Sequence, residues 1–206
     1  MQRTTLAAAC WLAAMSPALA HPAPSHASSA APAARQASDF KAGESFDAVV
    51  VRVIEADLYV VRPLGARASA GEQATYLLGA DTPEAGQGAW ADQARQHVSA
   101  LVQGKRVRLT LDQAPRARCG TLRAYVHLAD GTFLNLALVR EGWADVVSEQ
   151  PNMAHDAEFK VAMAAAKVQG LGIWAKDGGL AATPSAFRHA QSDHGAAEHA
   201  GHGCKH

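Results

Sequence analysis

Short stretches in which apolar and polar residues strictly alternate, all in the middle of the chain, constrain this sequence most. Val107, Leu109 and Leu111 alternate with Arg106, Arg108 and Thr110. After a turn region containing Pro115 and Gly120, Leu122, Ala124, Val126 and Leu128 repeat the same period. Successive side chains of a strand point to opposite faces, so this spacing predicts two half-buried strands. Upstream, Val49, Val51 and Val53 alternate with Val50, Arg52 and Ile54, and Leu58 to Val61 follows before Pro63 stops it. Gly65 to Gly71 reads as a loop, and Ala74 to Leu78 as a third short strand.

Helical spacing interrupts and then closes this series. Between Gly88 and Val102, the residues Trp90, Ala94, Val98 and Leu101 form one apolar stripe, which Gly104 ends. Asn135 is expected to N-cap a short helix, with Leu134 and Val139 as a hydrophobic staple and Gly142 at its close. A last helix from about His155 to Gln169 would bury Phe159, Ala162, Met163 and Ala166. Gly170 and Gly172 end it, and Ile173-Trp174 packs back. Three strands, a helix, two strands and two helices suit a small barrel with helices on one side.

The flanks have a different composition. Arg3, the apolar run Leu6 to Ala14 and the small-x-small triplet Ala18-Leu19-Ala20 predict a signal peptide over 1–20, cleaved near Ala20. The protein is therefore expected to be secreted or periplasmic. That apolar run, which includes Cys10, is too short to span a bilayer, and no later stretch is long enough. Residues 21–41 are rich in Ala, Pro, Ser and Gln and predict a flexible leader. Residues 42–180 hold the expected folded domain, and 181–206 a His-rich disordered tail. The expected state is a monomer.

Charge bounds the partners. Lys and Arg number 19, as do Asp and Glu. The signal carries Arg3 and no acid, so the mature chain is near −1. Proteins that bind nucleic acid by neutralising many phosphates are usually basic, so tight, sequence-independent binding is disfavoured.

Two cysteines follow the signal, Cys119 and Cys204. They could pair in an oxidising compartment, or Cys204 could join the tail histidines as a metal ligand. His199, His202, Cys204 and His206 form a dense imidazole and thiolate set suited to Zn²⁺, Cu²⁺ or Ni²⁺, without a fixed zinc-finger spacing. His97, His127 and His155 fall inside the folded region and read as packing or surface residues.

Four ordered motifs carry a family resemblance across about residues 46 to 176. They are Val53-Ile54-Glu55-Ala56-Asp57 and Leu78-Gly79-Ala80-Asp81-Thr82-Pro83-Glu84, then Gly120 to Tyr125 with Asp130-Gly131, Asn135 and Leu138 to Ala144, and last Leu171 to Trp174. Together they resemble the staphylococcal-nuclease (thermonuclease) family. The resemblance implies an α+β OB-fold, a five-stranded β-barrel with three α-helices, and a Ca²⁺-dependent nuclease that cuts DNA or RNA phosphodiesters. It assigns Asp57 and Asp81 as calcium carboxylates, the Thr82 backbone carbonyl as a further ligand, and Glu84 as the general base. Oxygen-only ligation is what a hard cation such as Ca²⁺ requires.

The family's two phosphate-clamping arginines are missing. Their positions carry Tyr76 and Thr121, and the substrate-flanking tyrosines correspond to Cys119 and, more loosely, Ser148. One preorganised donor is worth roughly 10²–10³ in rate, so an attenuated or inactive phosphodiesterase is expected. Arg123 shares the face of Thr121 two residues on and is the first candidate for a relocated catalytic arginine. Arg62, Arg67, Arg116 and Arg118 are weaker ones. Two alternatives stay open. One is a non-catalytic OB module that binds single-stranded DNA or RNA, a small anion or a protein. The other is a metal-binding protein acting through the His-rich tail.

Overall fold

The computed structural model describes residues 40–194. The expected signal peptide, nearly all of the leader, and the tail ligands His199, His202, Cys204 and His206 lie outside the described residues. No described helix is long and apolar enough to cross a membrane.

Five strands close into a barrel: β1 (Ser45–Glu55), β2 (Leu58–Pro63), β3 (Gln73–Leu77), β5 (Arg106–Arg116) and β6 (Leu122–Leu128), in the order β1-β2-β3-β6-β5. Neighbours run antiparallel except β3 and β6, whose parallel register pairs Thr75 with Leu122, Tyr76 with Arg123 and Leu77 with Ala124. Closure removes the unpaired edges that an open sheet would expose. Two-residue strands β4 (Ala80–Asp81) and β7 (Asp145–Val146) pair beside the barrel. The helices are α1 (Ala89–Val102), α2 (Leu134–Arg140), α3 (Asp156–Gln169) and α4 (Pro184–His194).

The expected barrel is present, and so are the α1 and α3 stripes. Ala94 and Val98 are buried on α1, and Phe159 and Ala166 on α3. The alternation in β1 breaks where the sequence could not show it. Phe46, Ala48 and Val50 face inward, then a register shift between Val50 and Arg52 carries Val53 back to the core. An extra residue of this kind bends a strand and raises its twist, which helps a short sheet close.

Three expectations need correction. Asn135 does not cap α2; Phe133 holds the N-cap position, and Asn135 lies fully buried inside the helix. Its carboxamide accepts from the Val126 amide (2.8 Å) and donates to the carbonyls of Leu78 (2.8 Å) and Ala124 (3.2 Å). It thereby ties α2 to β6 and to the end of β3, which gives a buried polar group the partners that burial demands. The folded region also starts earlier than 42: Phe40, placed in the leader, is buried against Phe46 with ring centroids 5.1 Å apart. At the other end, 184–194 forms a fourth helix within the segment expected to be disordered.

One glycine is dictated by close approach. Gly79 has φ +77°, and a Cβ there would sit 2.2 Å from the Phe159 ring. Only glycine lets α3 press its largest apolar side chain against the turn that leads into Asp81.

The internal histidines pack on aromatic rings. His97 stacks on Trp143 (4.6 Å) and His127 on Phe133 (4.7 Å), while His155 meets Tyr125 edge-on (4.6 Å).

Candidate active site

The acidic residues singled out by sequence converge at one mouth of the barrel. Asp57 lies in the turn joining β1 to β2, and its Oδ2 accepts from the Thr82 backbone amide at 3.3 Å. Asp57 also anchors the end of β3, because its carbonyl accepts from the Leu77 amide at 2.9 Å. Nearby Tyr59 has no solvent exposure and donates to the Ala56 carbonyl at 2.7 Å. Burial pushes its phenol well above the usual value, and the Asp57 charge adds to this.

Asp81 ends the two-residue β4 and is held opposite Asp145 of β7. Thr82 and Pro83 turn the chain, and Glu84 follows in a loop closed on itself. The Glu84 amide donates to Gln87 Oε1 and the Gln87 amide to the Glu84 carbonyl, each at 2.9 Å. Asp57, Asp81, Thr82 and Glu84 are all buried, with 2%, 1%, 0% and 7% exposure. Buried carboxylates are costly without a compensating charge, so their counter-cation is the informative feature of the site.

That cation is not Arg123. The Arg123 guanidinium donates to Glu149 Oε2 (3.1 Å) and to the carbonyls of Ala114 (3.0 Å) and Arg116 (3.1 Å). These bonds brace the bulged end of β5 against the β7–α3 connection and turn the side chain away from the role proposed for it. Three of the weaker candidates are engaged elsewhere too: Arg62 faces Glu72, Arg67 pairs with Glu44, and Arg116 reaches Gln73 and the Gly120 carbonyl. Tyr76 is buried on β3, and Thr121 contacts Cys119 Sγ at 3.2 Å. Cys119 is disulfide-bonded, and its partner lies outside the described residues.

The cation comes from α4. Arg188 Nη1 donates to Asp81 Oδ1 at 2.7 Å and also to Glu84 Oε1, while Nη2 donates to Asp81 Oδ2 at 3.0 Å. Its side chain keeps 23% exposure. Burial works to lower the guanidinium's pKa, but the bonds and charges of Asp81 and then Glu84 outweigh it and hold the value above the usual one.

Helix α4 is held against the loop that carries Glu84. Gln87 Nε2 donates to the Ala182 carbonyl (2.9 Å), and Trp90 Nε1 to the Gly178 carbonyl (2.8 Å). Phe187 lies over Gly86, close enough that a Cβ there would meet its ring at 3.2 Å.

Arg188 escaped the sequence reading although a signal for its helix was present. Thr183 precedes Pro184, an N-cap residue followed by the residue most favoured at the first helical position. Thr183 Oγ1 accepts from the Ala186 amide at 3.3 Å, and its carbonyl from the Phe187 amide at 2.9 Å.

Among the described residues no three His, Cys, Asp or Glu side chains form a metal-binding group. Two carboxylates and a backbone carbonyl make a smaller set, and those residues are present and buried here. The arrangement therefore gathers the buried carboxylates of Asp57, Asp81 and Glu84, with a guanidinium that bridges the last two.

Comparison with known proteins agrees with this geometry. The profile of the family described as Staphylococcal nuclease homologue matches residues 75–176. The thermonuclease of Staphylococcus intermedius is 30% identical over 137 residues, covering 64% of this chain and 77% of that protein. With its barrel, its buried Asp57, Asp81 and Glu84, and these matches, the chain belongs to the staphylococcal nuclease family.

Proposed function

We propose that this protein is an exported, calcium-dependent phosphodiesterase that cleaves single-stranded DNA or RNA, attenuated because the barrel contributes no arginine at Tyr76 or Thr121. The observation that carries the reading is the gathering of three buried carboxylates at one mouth, two of them already bridged by a positive charge. A site that draws a guanidinium between Asp81 and Glu84 has the electrostatic demand that a hard cation meets. Asp57, Asp81 and the Thr82 carbonyl would hold Ca²⁺, whose chemistry is to stabilise negative charge on phosphate oxygens.

Glu84 supplies the base. It takes a proton from a water molecule as that oxygen bonds to phosphorus. The bond from phosphorus to the leaving oxygen breaks in line, and solvent protonates the leaving group. Export is supported by Arg3, the apolar run 6–14 and Ala18-Leu19-Ala20, and by the disulfide at Cys119, which suits an oxidising compartment.

The test is cleavage of single-stranded DNA by the protein beginning at His21, in Ca²⁺ and in EDTA, beside Glu84→Gln. Cutting that requires Ca²⁺ and falls by about 10²–10⁴ in the variant is the expected result. Equal rates for the two proteins, or no cutting above background, would refute the reading.

A further inference from the structure

We propose that Arg188 is the phosphate-contacting residue of this site, delivered by the C-terminal helix in place of the arginines the barrel lacks. The inference builds on the phosphodiesterase reading but makes a separate claim, that the α4 guanidinium itself grips phosphoryl oxygens.

The donor inventory of the side chain carries it. A guanidinium has five N–H groups, one on Nε and two on each Nη. Nη1 spends both of its hydrogens, one on Asp81 Oδ1 and one on Glu84 Oε1, and Nη2 spends one on Asp81 Oδ2. The second Nη2 hydrogen and the Nε hydrogen take no part in these bonds. They lie along the same edge of the planar group and form a fork that matches two oxygens of a phosphate or carboxylate. The chain uses that same edge elsewhere, where Arg67 turns its Nε and Nη2 toward the two oxygens of Glu44. At Arg188 the far edge is occupied by Asp81, so the guanidinium is oriented before any substrate arrives. The side chain remains partly exposed, which leaves an approach open.

Position supports the same conclusion. The group that contacts the transferring phosphate has to sit beside both the metal carboxylate and the base, and Arg188 touches Asp81 and Glu84 at once. It is also positioned by more than its own ion pairs, through Gln87 to the Ala182 carbonyl, Trp90 to the Gly178 carbonyl and Phe187 against Gly86. A donor held in advance costs no reorganisation as charge develops on phosphate oxygens. Arginine is required rather than lysine, because an ammonium cannot bind a carboxylate through one edge and a phosphate through the other.

Two readouts test the proposal on the protein from His21 onward, comparing wild type with Arg188→Ala and Arg188→Lys. The first is fluorescence-anisotropy binding of a labelled phosphorothioate oligothymidylate, which resists cleavage, in Ca²⁺. The second is cleavage of the natural phosphodiester. The alanine variant is expected to bind at least about 10-fold more weakly and to lose roughly 10²–10³ in kcat/KM. The lysine variant should recover part of the binding and little of the rate. Melting curves that overlay wild type establish that the variants fold.

Unchanged or tighter binding by Arg188→Ala, or faster cleavage, would overturn the inference and make α4 a plug over the carboxylates. If no protein cleaves, yet binding still depends on Arg188, the phosphate contact stands and the phosphodiesterase reading falls. If wild type cleaves in Ca²⁺ and Arg188→Ala matches it, the reverse holds.

Discussion

The acidic and the cationic halves of the site are built by different means. Asp57, Asp81 and Glu84 are placed by the barrel itself: a strand-connecting turn, a two-residue strand, and a loop bonded to its own backbone. Arg188 stands on a helix whose one large apolar side chain is Phe187 and which adds nothing to the main core. The carboxylates therefore inherit the stability of the fold, whereas the guanidinium depends on charge and a few hydrogen bonds. Groups that meet in one site need not share one level of stability.

Perturbations of the two halves should separate in stability measurements. Phe159→Ala should have the largest effect. It opens a cavity under Gly79 and is expected to cost about 3–5 kcal/mol, read as a lower denaturation midpoint with the slope unchanged. Asn135→Ala comes next, because it strands the buried Val126 amide and takes a donor from the Leu78 carbonyl, while the Ala124 carbonyl keeps the Leu78 amide; a loss of about 2–3 kcal/mol is expected. A midpoint equal to wild type would show that water replaces the carboxamide there.

Phe187→Ala should lower barrel stability by only about 1 kcal/mol. Phe187 is the one large apolar side chain of α4 and is only partly buried, so its loss leaves the main core intact. A loss as large as that of Phe159→Ala would erase the contrast between the two halves.

The smallest effect is a pH dependence from His127. Burial, helped by His155 and Arg108, holds its pKa below the ordinary value of 6.5. Below pH 6.5 the unfolded chain takes up this proton and the folded one resists it, so stability falls with pH until the lower folded value is reached. In His127→Gln this slight slope in melting temperature between pH 7 and pH 5 should flatten.

The barrel was legible because its strands bury one face each, so period two is printed in β5 and β6. Asp57, Asp81 and Glu84 were legible because they sit inside contiguous motifs. The bulge in β1 was not, because Val49 to Val51 are all apolar and any register satisfies the pattern. Asn135 reads as a cap because its real partners, Leu78 and Ala124, are brought to it only by the closed barrel. Phe40 reads as part of the leader because a lone aromatic after an Ala-, Pro- and Ser-rich run gives no periodic signal.

Arg188 is the residue least legible in the sequence. Strand parity with Thr121 favours Arg123, yet parity alone cannot reveal a nearer partner such as Glu149. Arg188 lies 107 residues from Asp81 along the chain, in a segment poor in core formers. Composition correctly described that segment as a weak contributor to a core, but it carried no information about whether the segment docks.

That separation of 107 residues also has a temporal meaning. A ribosome makes the three carboxylates long before it makes their guanidinium, and a chain that emerges vectorially can close its barrel while α4 is still being made. Until residue 188 has emerged, the nascent domain holds Asp81 and Glu84 without the guanidinium that bridges them. Under the function proposed above, the site would gain its phosphate contact only when synthesis of the chain is nearly finished.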